Sequence, residues 1–259
     1  MGKKQSRKEL ILHQLSTMGQ VHVTSLSELC NVSQVTIRTD LENLEKQGLL
    51  QRIHGGAVQN RRDDIANRLV FDHANKERIA DLAASLVNDG ETIMIESGST
   101  CTLLAQALGK SKHDVTIITN SVFIARYVRE QPTLHVILIG GEYQAESEAC
   151  VGPLARLGLS QYYTEKCFFG FDGFDARIGF TGSNQSRAEI VEVMKNQCAK
   201  MIALSPSGKF SQRGLVKLVS PNEVSIVVTD EQLGEKEKQM ILGFGMQVLQ
   251  SQAILEVTN

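Results

Sequence analysis

Apolar residues in the first sixty positions recur at helical spacing and then switch to short alternating runs. Ile11, Leu15 and Met18 fall at i, i+4 and i+7 and predict a helix over about 6–18, stopped by Gly19. A short "VHV" follows. A second helix is predicted from Thr24, a good N-cap, with Leu26, Leu29 and Cys30 on its buried side. Asn31 suits the left-handed residue that ends a helix without glycine, and Ser33 stands where the cap of a third helix belongs. Within "NVSQVTIRTDLENLEKQG" (31–48), Ile37, Leu41 and Leu44 form the stripe that must be buried. Gln34, Thr36, Arg38 and Asp40 lie off that stripe, near the front of the helix. Beyond Gly48, "LLQRIHGGAVQ" reads as two short strands about a Gly55-Gly56 tip. Two helices joined by a tight turn make a helix-turn-helix, and a terminal hairpin supplies what a winged helix needs.

Residues 60–75, "NRRDDIANRLVFDHAN", are polar with little apolar periodicity and are the best linker candidate, part of it compatible with helix. The rhythm then changes. Strand-like runs "ETIMIES", "VTIITN", "LHVILIGG", "EKCFFGFD", "KMIALS" and "EVSIVVTD" alternate with helical stretches at 100–109, 121–130, 185–199 and 235–243. Nearly continuous apolar strands in βα alternation indicate a mainly parallel sheet covered by helices. The expected organisation is α/β: a winged helix-turn-helix domain over 1–60, a linker over 61–75, and a Rossmann-like effector domain over 76–259.

Charge divides along the same line. The formal net charge is −2, but residues 1–62 hold nine Lys/Arg against five Asp/Glu, leaving eighteen against twenty-four in the rest. A basic head on an acidic body suits a nucleic-acid-binding module joined to a part that avoids polyanions. The cysteines at 30, 101, 150, 167 and 198 are odd in number and scattered, with no C-x-x-C pair. They read as small core residues in a reducing compartment, with no metal site and no cofactor implied. No apolar run approaches a membrane span, and "MGKKQSRKEL" lacks the apolar core of a signal peptide, so a cytoplasmic, membrane-free chain is expected.

The outward face of the third helix has two readings, a solvated surface or a reader of base edges. Context favours the second, because a tight turn precedes the helix, a Gly-Gly wing follows it and the head is basic. In helix-turn-helix docking the N-terminal residues of the second helix approach bases while flanking groups hold phosphates. Ser33, Gln34, Thr36 and Arg38 are therefore the candidate contacts to double-stranded DNA, with Arg38 suited to the paired acceptors of guanine. Arg52 and His54, beside Gly55 and Gly56, suit backbone or minor-groove contact from the wing.

In the second half "IESGST" (95–100) follows a strand and opens a helix. Backbone N–H groups at Gly98, Ser99 and Thr100 make a natural phosphate cradle there, although a plain βα turn has the same composition. Further strand ends carry "TNS" (119–121), "GG" (140–141), "GFDG" (170–173) and "SPSGKF" (205–210), and ligands of open α/β sheets sit at such ends.

The signature residues carry a resemblance. Val32, Ser33, Thr36, Ile37, Arg38, Asp40, Leu41 and Leu44, then Gly48, Leu50, Arg52, His54, Gly55, Gly56 and Ala57, closely resemble the N-terminal signature of the DeoR family of bacterial transcriptional regulators. Its pattern is V-S-x-x-T-I-R-x-D-L-x-x-L followed by G-x-L-x-R-x-H-G-G-A. Thr39 departs from it, where many members have a second arginine. The resemblance continues, less densely, into the second half, which is similar to the family's effector domain and to ribose-5-phosphate isomerase.

That resemblance implies a homo-oligomeric repressor, a dimer or tetramer, that binds operator DNA and responds to a phosphorylated sugar or polyol. Ser97 to Thr100 would hold phosphate with Lys209 as charge partner, and Asn120, Asp172 and Asp175 would bond sugar hydroxyls, with Glu96 and Gly173 beside them. Unaided by the resemblance, Asp172-Gly173 is a turn after a strand and Lys209 an exposed lysine. Glu96 and Ser205 replace aspartates usual in the family, and Glu189 lies on the helix after "GFTGSNQSR". Two other readings stand beside this one. A DNA-binding protein with a vestigial pocket fits the two departures. A sugar-phosphate isomerase fits the carboxylates Asp172, Asp175 and Glu189 but lacks the lysine loop of that chemistry, so no enzyme is expected.

Overall fold

The computed structural model describes residues 3–46, 49–59 and 64–252, and the chain divides into two compact units, 1–73 and 74–259. Gly48 of the signature and positions 61–63 of the expected linker lie outside the described residues.

In the first unit, α1 (Lys3–Met18), α2 (Val23–Cys30) and α3 (Gln34–Lys46) pack on a three-stranded antiparallel sheet. Its strands are β1 (Gln20–His22), β2 (Leu50–Ile53) and β3 (Gly56–Gln59), in the order β1-β3-β2. Ile11, Leu15, Leu26, Ile37, Leu41 and Leu44 make the core. Val21 and His22 of the "VHV" segment thus belong to the third strand of the wing, pairing Val21 with Ala57.

That strand moves the start of α2. Val23 N–H donates to Gly55 O at 2.9 Å and His22 is the N-cap without a side-chain bond, so Thr24 is inside the helix and caps nothing. Leu29 is 51 % exposed and Cys30 half-buried, because Val23 and Leu26 fill the inward positions instead. Met18, at the last turn of α1, is 69 % exposed. Asn31 takes the left-handed conformation (φ 50°, ψ 50°) that ends α2, as its chemistry predicts.

The segment 64–73 is more structured than a linker. Asp64 accepts from Ala66 N and Asn67 N to cap α4 (Ile65–Val70), and Phe71 joins the core of the first unit.

The second unit opens with α5 (His73–Ala84) and is built on a seven-stranded, wholly parallel sheet. Along the chain run β4 (Thr92–Ile95), α6 (Ser99–Ser111), β5 (Val115–Thr119), α7 (Val122–Tyr127), β6 (Leu134–Leu138), β7 (Glu142–Gln144), β8 (Ala149–Val151) and α8 (Gly152–Leu159). There follow β9 (Thr164–Gly170), β10 (Gly173–Asp175), β11 (Gly179–Gly182), α9 (Gln185–Asn196), β12 (Cys198–Leu204), β13 (Val216–Val219), β14 (Ile226–Asp230), α10 (Glu235–Gly243) and β15 (Gln247–Ser251).

The sheet order is β15-β14-β12-β9-β4-β5-β6. All six strand-like runs of the sequence lie in it, confirming the mainly parallel α/β fold. From β4 the chain winds outward through β5 and β6, then returns to β9 on the other side. The order therefore reverses between β4 and β9, where open α/β sheets place their ligand crevice.

Two small antiparallel sheets, β7-β8 and β10-β11-β13, are additions to this frame. Phe169 of β9 and Phe171 just after it stack edge-on with Phe180 (ring centroids 5.8 and 5.0 Å), and Phe171 with Phe210 at 5.2 Å. This aromatic seam fixes the turn carrying Lys209 beside the end of β9.

Candidate functional sites

The outer face of α3 is the first candidate. Ile37, Leu41 and Leu44 are buried, which leaves Gln34, Val35, Arg38 and Thr39 exposed on successive turns. Ser33 Oγ accepts from Thr36 N at 3.2 Å and so caps the helix, and it lies 2.9 Å from Thr36 Oγ1 while Ser33 stays exposed. Asp40 is not on this face. It is 2 % exposed and accepts from Arg7 Nε of α1, a bond that raises the Arg7 pKa above its ordinary value. Val35 is 70 % exposed among polar neighbours, a position that apolar periodicity does not mark. A valine two residues from the buried Ile37 carries no periodic signal of its exposure.

The wing is fastened to the same helix. Arg52 N–H donates to Glu45 Oε1 at 2.8 Å, and Arg52 Nε lies 3.8 Å from Glu45 Oε2. Arg52 is therefore partly neutralised, and His54 stands exposed at the tip. The tip itself is His54-Gly55, one residue earlier than expected, since Ile53 pairs with Gly56. Gly55 supplies a φ of +76°. Gly56 is buried, and a Cβ there would stand 2.0 Å from Val21 O. It admits β1 to the sheet and presents nothing outward.

The second candidate lies at the carboxyl ends of β4, β5, β9 and β12. The loop after β4 is buried through Glu96, Ser97, Gly98, Ser99 and Thr100. Gly98 caps α6 without a side-chain bond, so the first N–H groups of that helix have no intrahelical acceptor. Glu96 fills part of the same space. Its Oε1 accepts from Ser97 Oγ at 2.7 Å, and its Oε2 lies 3.5 Å from Gly170 N and 3.4 Å from the Cβ position of Gly98.

Met94 pairs with Ile118 on the neighbouring strand, and Glu96 and Asn120 are the residues that follow the ends of β4 and β5. Asn120 is fully buried. Its Nδ2 donates to Cys150 O at 2.8 Å, and its Oδ1 has no partner among the described residues.

Across β9, Asp172 Oδ2 accepts from Ser183 Oγ at 3.1 Å, and Ser183 Oγ accepts from Arg187 Nη2 at 3.1 Å. Lys209 Nζ is 4.0 Å from Asp172 Oδ1. Ser205 Oγ donates to Phe171 O at 3.4 Å, tying the end of β12 to the end of β9. Arg187, 8 % exposed on α9, is a further cation at this site that no spacing in the sequence marks. Glu189, two residues on, faces Arg156 on the surface.

Two expected residues stand elsewhere. Gly173 is sealed by the backbone of Gln212 and Arg213, 2.5 and 2.6 Å from its Cβ position, so it serves the antiparallel sheet. Asp175 lies at the far end of β10. There the Arg177 N–H, ahead of the Arg213 charge, holds its carboxyl below the usual range. Among the described residues no group of three or more His, Cys, Asp or Glu is placed to hold a metal. Nor is any helix there long and apolar enough to cross a membrane.

Comparison with known proteins follows the same division. Residues 7–63 match the model of the DeoR-like helix-turn-helix domain, and residues 72–231 that of the DeoR C terminal sensor domain. The Lactose phosphotransferase system repressor of Staphylococcus aureus (strain NCTC 8325 / PS 47) is 31% identical, over 90% of this chain and 94% of its own. The L-fucose operon activator of Haemophilus influenzae is 29% identical, over 88% of this chain and 92% of its own. Ribose 5-phosphate isomerase A from Methanocaldococcus jannaschii superposes with a TM-score of 0.38 at 17% identity, over 52% of this chain and 53% of that one. So loose a likeness transfers no chemistry. The two matched domains together span most of the sequence, and the chain belongs to the DeoR family of transcriptional regulators.

Proposed function

We propose that this regulator represses a carbohydrate-utilisation operon from the cytoplasm and changes its operator affinity when a phosphorylated sugar or polyol occupies the sensor unit. The observation that carries this reading is the gathering of Glu96, Ser97, Asn120, Asp172 and Lys209 at the carboxyl ends of the central strands, on both sides of the switch point. The first N–H groups of α6 and the Lys209 ammonium suit an anion. The Glu96 carboxylate and the free Oδ1 of Asn120 suit hydroxyls. Relatives named for a lactose system and for a fucose operon support a carbohydrate, and their names include both repression and activation.

On the DNA side, Gln34, Val35 and Arg38 read base edges, while Ser33, Thr36, Arg52, His54 and Gly55 hold the helix and wing against phosphates. A homo-oligomer with two-fold symmetry then places two such helices about one helical turn (~34 Å) apart. On this reading the sensor is a binding unit, in which Asp172, accepting from Ser183 Oγ and 4.0 Å from Lys209 Nζ, orients the ligand.

Thermal unfolding in the presence of hexose, pentose and polyol phosphates tests the sensor. A ligand at a hundredfold its Kd adds roughly 2.7 kcal/mol to stability and raises Tm. Glu96 gives ground for a second reading, in which its carboxylate occupies the loop and no phosphorylated ligand enters. A Tm unmoved by the whole panel would favour that reading over ours.

A further inference from the structure

Asp230, at the end of β14, is fully buried and is used by no part of the site described above. Its Oδ2 accepts from Ser207 N at 2.7 Å and from Asn75 Nδ2 at 3.0 Å. Its Oδ1 accepts from Ser207 Oγ at 2.6 Å and from Gln232 N at 3.0 Å. One carboxylate thus holds two separate elements of the second unit.

The first is the turn 205–211, whose Lys209 lies 4.0 Å from Asp172. The second is α5, the helix through which the chain enters this unit. α5 is held a second time next to Asp230, since Arg78 Nη2, which donates to Asn75 Oδ1 of the same helix at 3.2 Å, lies 3.5 Å from Glu231 Oε1 just after β14.

We infer that Asp230 is a positioning residue that couples the effector-contacting turn 205–211 to helix α5, so that a shift of the turn on ligand binding is felt at the entrance to the sensor unit. The physical reason is that the carboxylate has few ways to satisfy all its donors. Hydrogen bonds to a charged group are short and strong, and a buried carboxylate that loses one of them is left under-solvated. Ser207 cannot move away without loosening the geometry offered to Asn75, and the converse holds by reciprocity.

The inference rests on the proposal that turn 205–211 touches the effector. The coupling itself can be tested with no ligand present, so the two can fail separately.

Amide hydrogen exchange is followed in the unaltered chain and in the variants Ser207→Ala, Asn75→Ala and Ser207→Thr. The coupling requires each alanine variant to speed exchange at the other element. Ser207→Ala should quicken the first turns of α5 about tenfold, and Asn75→Ala the turn 205–211 about tenfold. Core strand β5 should be unchanged in both, and Ser207→Thr, which keeps the hydroxyl, should restore the slow rate in α5. Acceleration confined to the altered element would overturn the coupling. Acceleration spread through β5 would do the same, because it would mark loss of overall stability with no particular path.

Discussion

Arg7 on the first helix donates through Nε to the carboxylate of Asp40, which is 2 % exposed on the recognition helix. The pair joins residues 33 positions apart and turns Asp40 away from the face that meets solvent. An acidic residue on that face would repel phosphates. Buried against Arg7, it sets the angle of the helix instead.

Asp40→Ala should therefore cost about 1–3 kcal/mol of stability in the first unit by leaving the guanidinium poorly paired. Arg7→Met combined with Asp40→Leu should recover much of that loss, since an apolar pair of similar volume avoids desolvating two charges. Thermal unfolding of the single and double variants checks both statements.

Arg38→Ala should weaken operator binding by about 1–3 kcal/mol and relax preference at one base pair while leaving Tm unchanged. Binding-site selection reads the preference. Equal weakening on every sequence would make Arg38 a phosphate contact.

Val35 invites a complementary test. An exposed valine beside Arg38 matches the 5-methyl group of thymine, which presents an apolar contact in the major groove. Replacing thymines of the operator by uracil one at a time should weaken binding at one position, and Val35→Ala should make that position indifferent. Anisotropy titrations give the coupling between the two changes.

The two wing glycines should behave differently. Gly55→Ala strains one left-handed residue and costs about 1–2 kcal/mol. Gly56→Ala drives a Cβ to within 2.0 Å of Val21 O, which forces β1 from β3, so its loss of Tm and of DNA binding should be the larger. Unfolding curves of the two variants decide the order.

The parts legible in the sequence are those whose signal is local. Continuous apolar runs such as "VTIITN" disclosed the parallel strands, and Asn31 and Ser33 marked the helix-turn-helix by their own backbone and capping chemistry. Strands of three or four residues such as β7, β8, β10 and β13 are too short to show a period. The start of α2 is set by a bond from Val23 to Gly55, and propensity alone could not locate it. In the sensor, the loop 96–100 was readable as a helix-opening turn. The link from Asp172 through Ser183 to Arg187, and the hold of Asp230 on residue 75, 155 positions away, depend on tertiary approach that spacing does not encode. The resemblance implied Gly173 and Asp175 as site residues, and both lie in the antiparallel strand β10, a pairing that spacing does not encode.

Lys209→Met separates the two halves of the account. It should leave DNA affinity without ligand unchanged and weaken a phosphorylated ligand at least about tenfold, since an ammonium near a phosphate in a partly screened site contributes a few kcal/mol. An unphosphorylated counterpart of the ligand should lose little. Calorimetric titration compares the two.

The most direct measurement is the affinity of the unaltered protein for the DNA upstream of its own gene, titrated by fluorescence anisotropy with and without a mixture of hexose, pentose and polyol phosphates. The account requires tight binding that survives competitor DNA and shifts by roughly fivefold or more when the mixture is added, the span of ordinary allosteric coupling. Specific binding that no sugar phosphate alters would contradict it and leave a DNA reader whose sensor unit has changed its ligand or lost it.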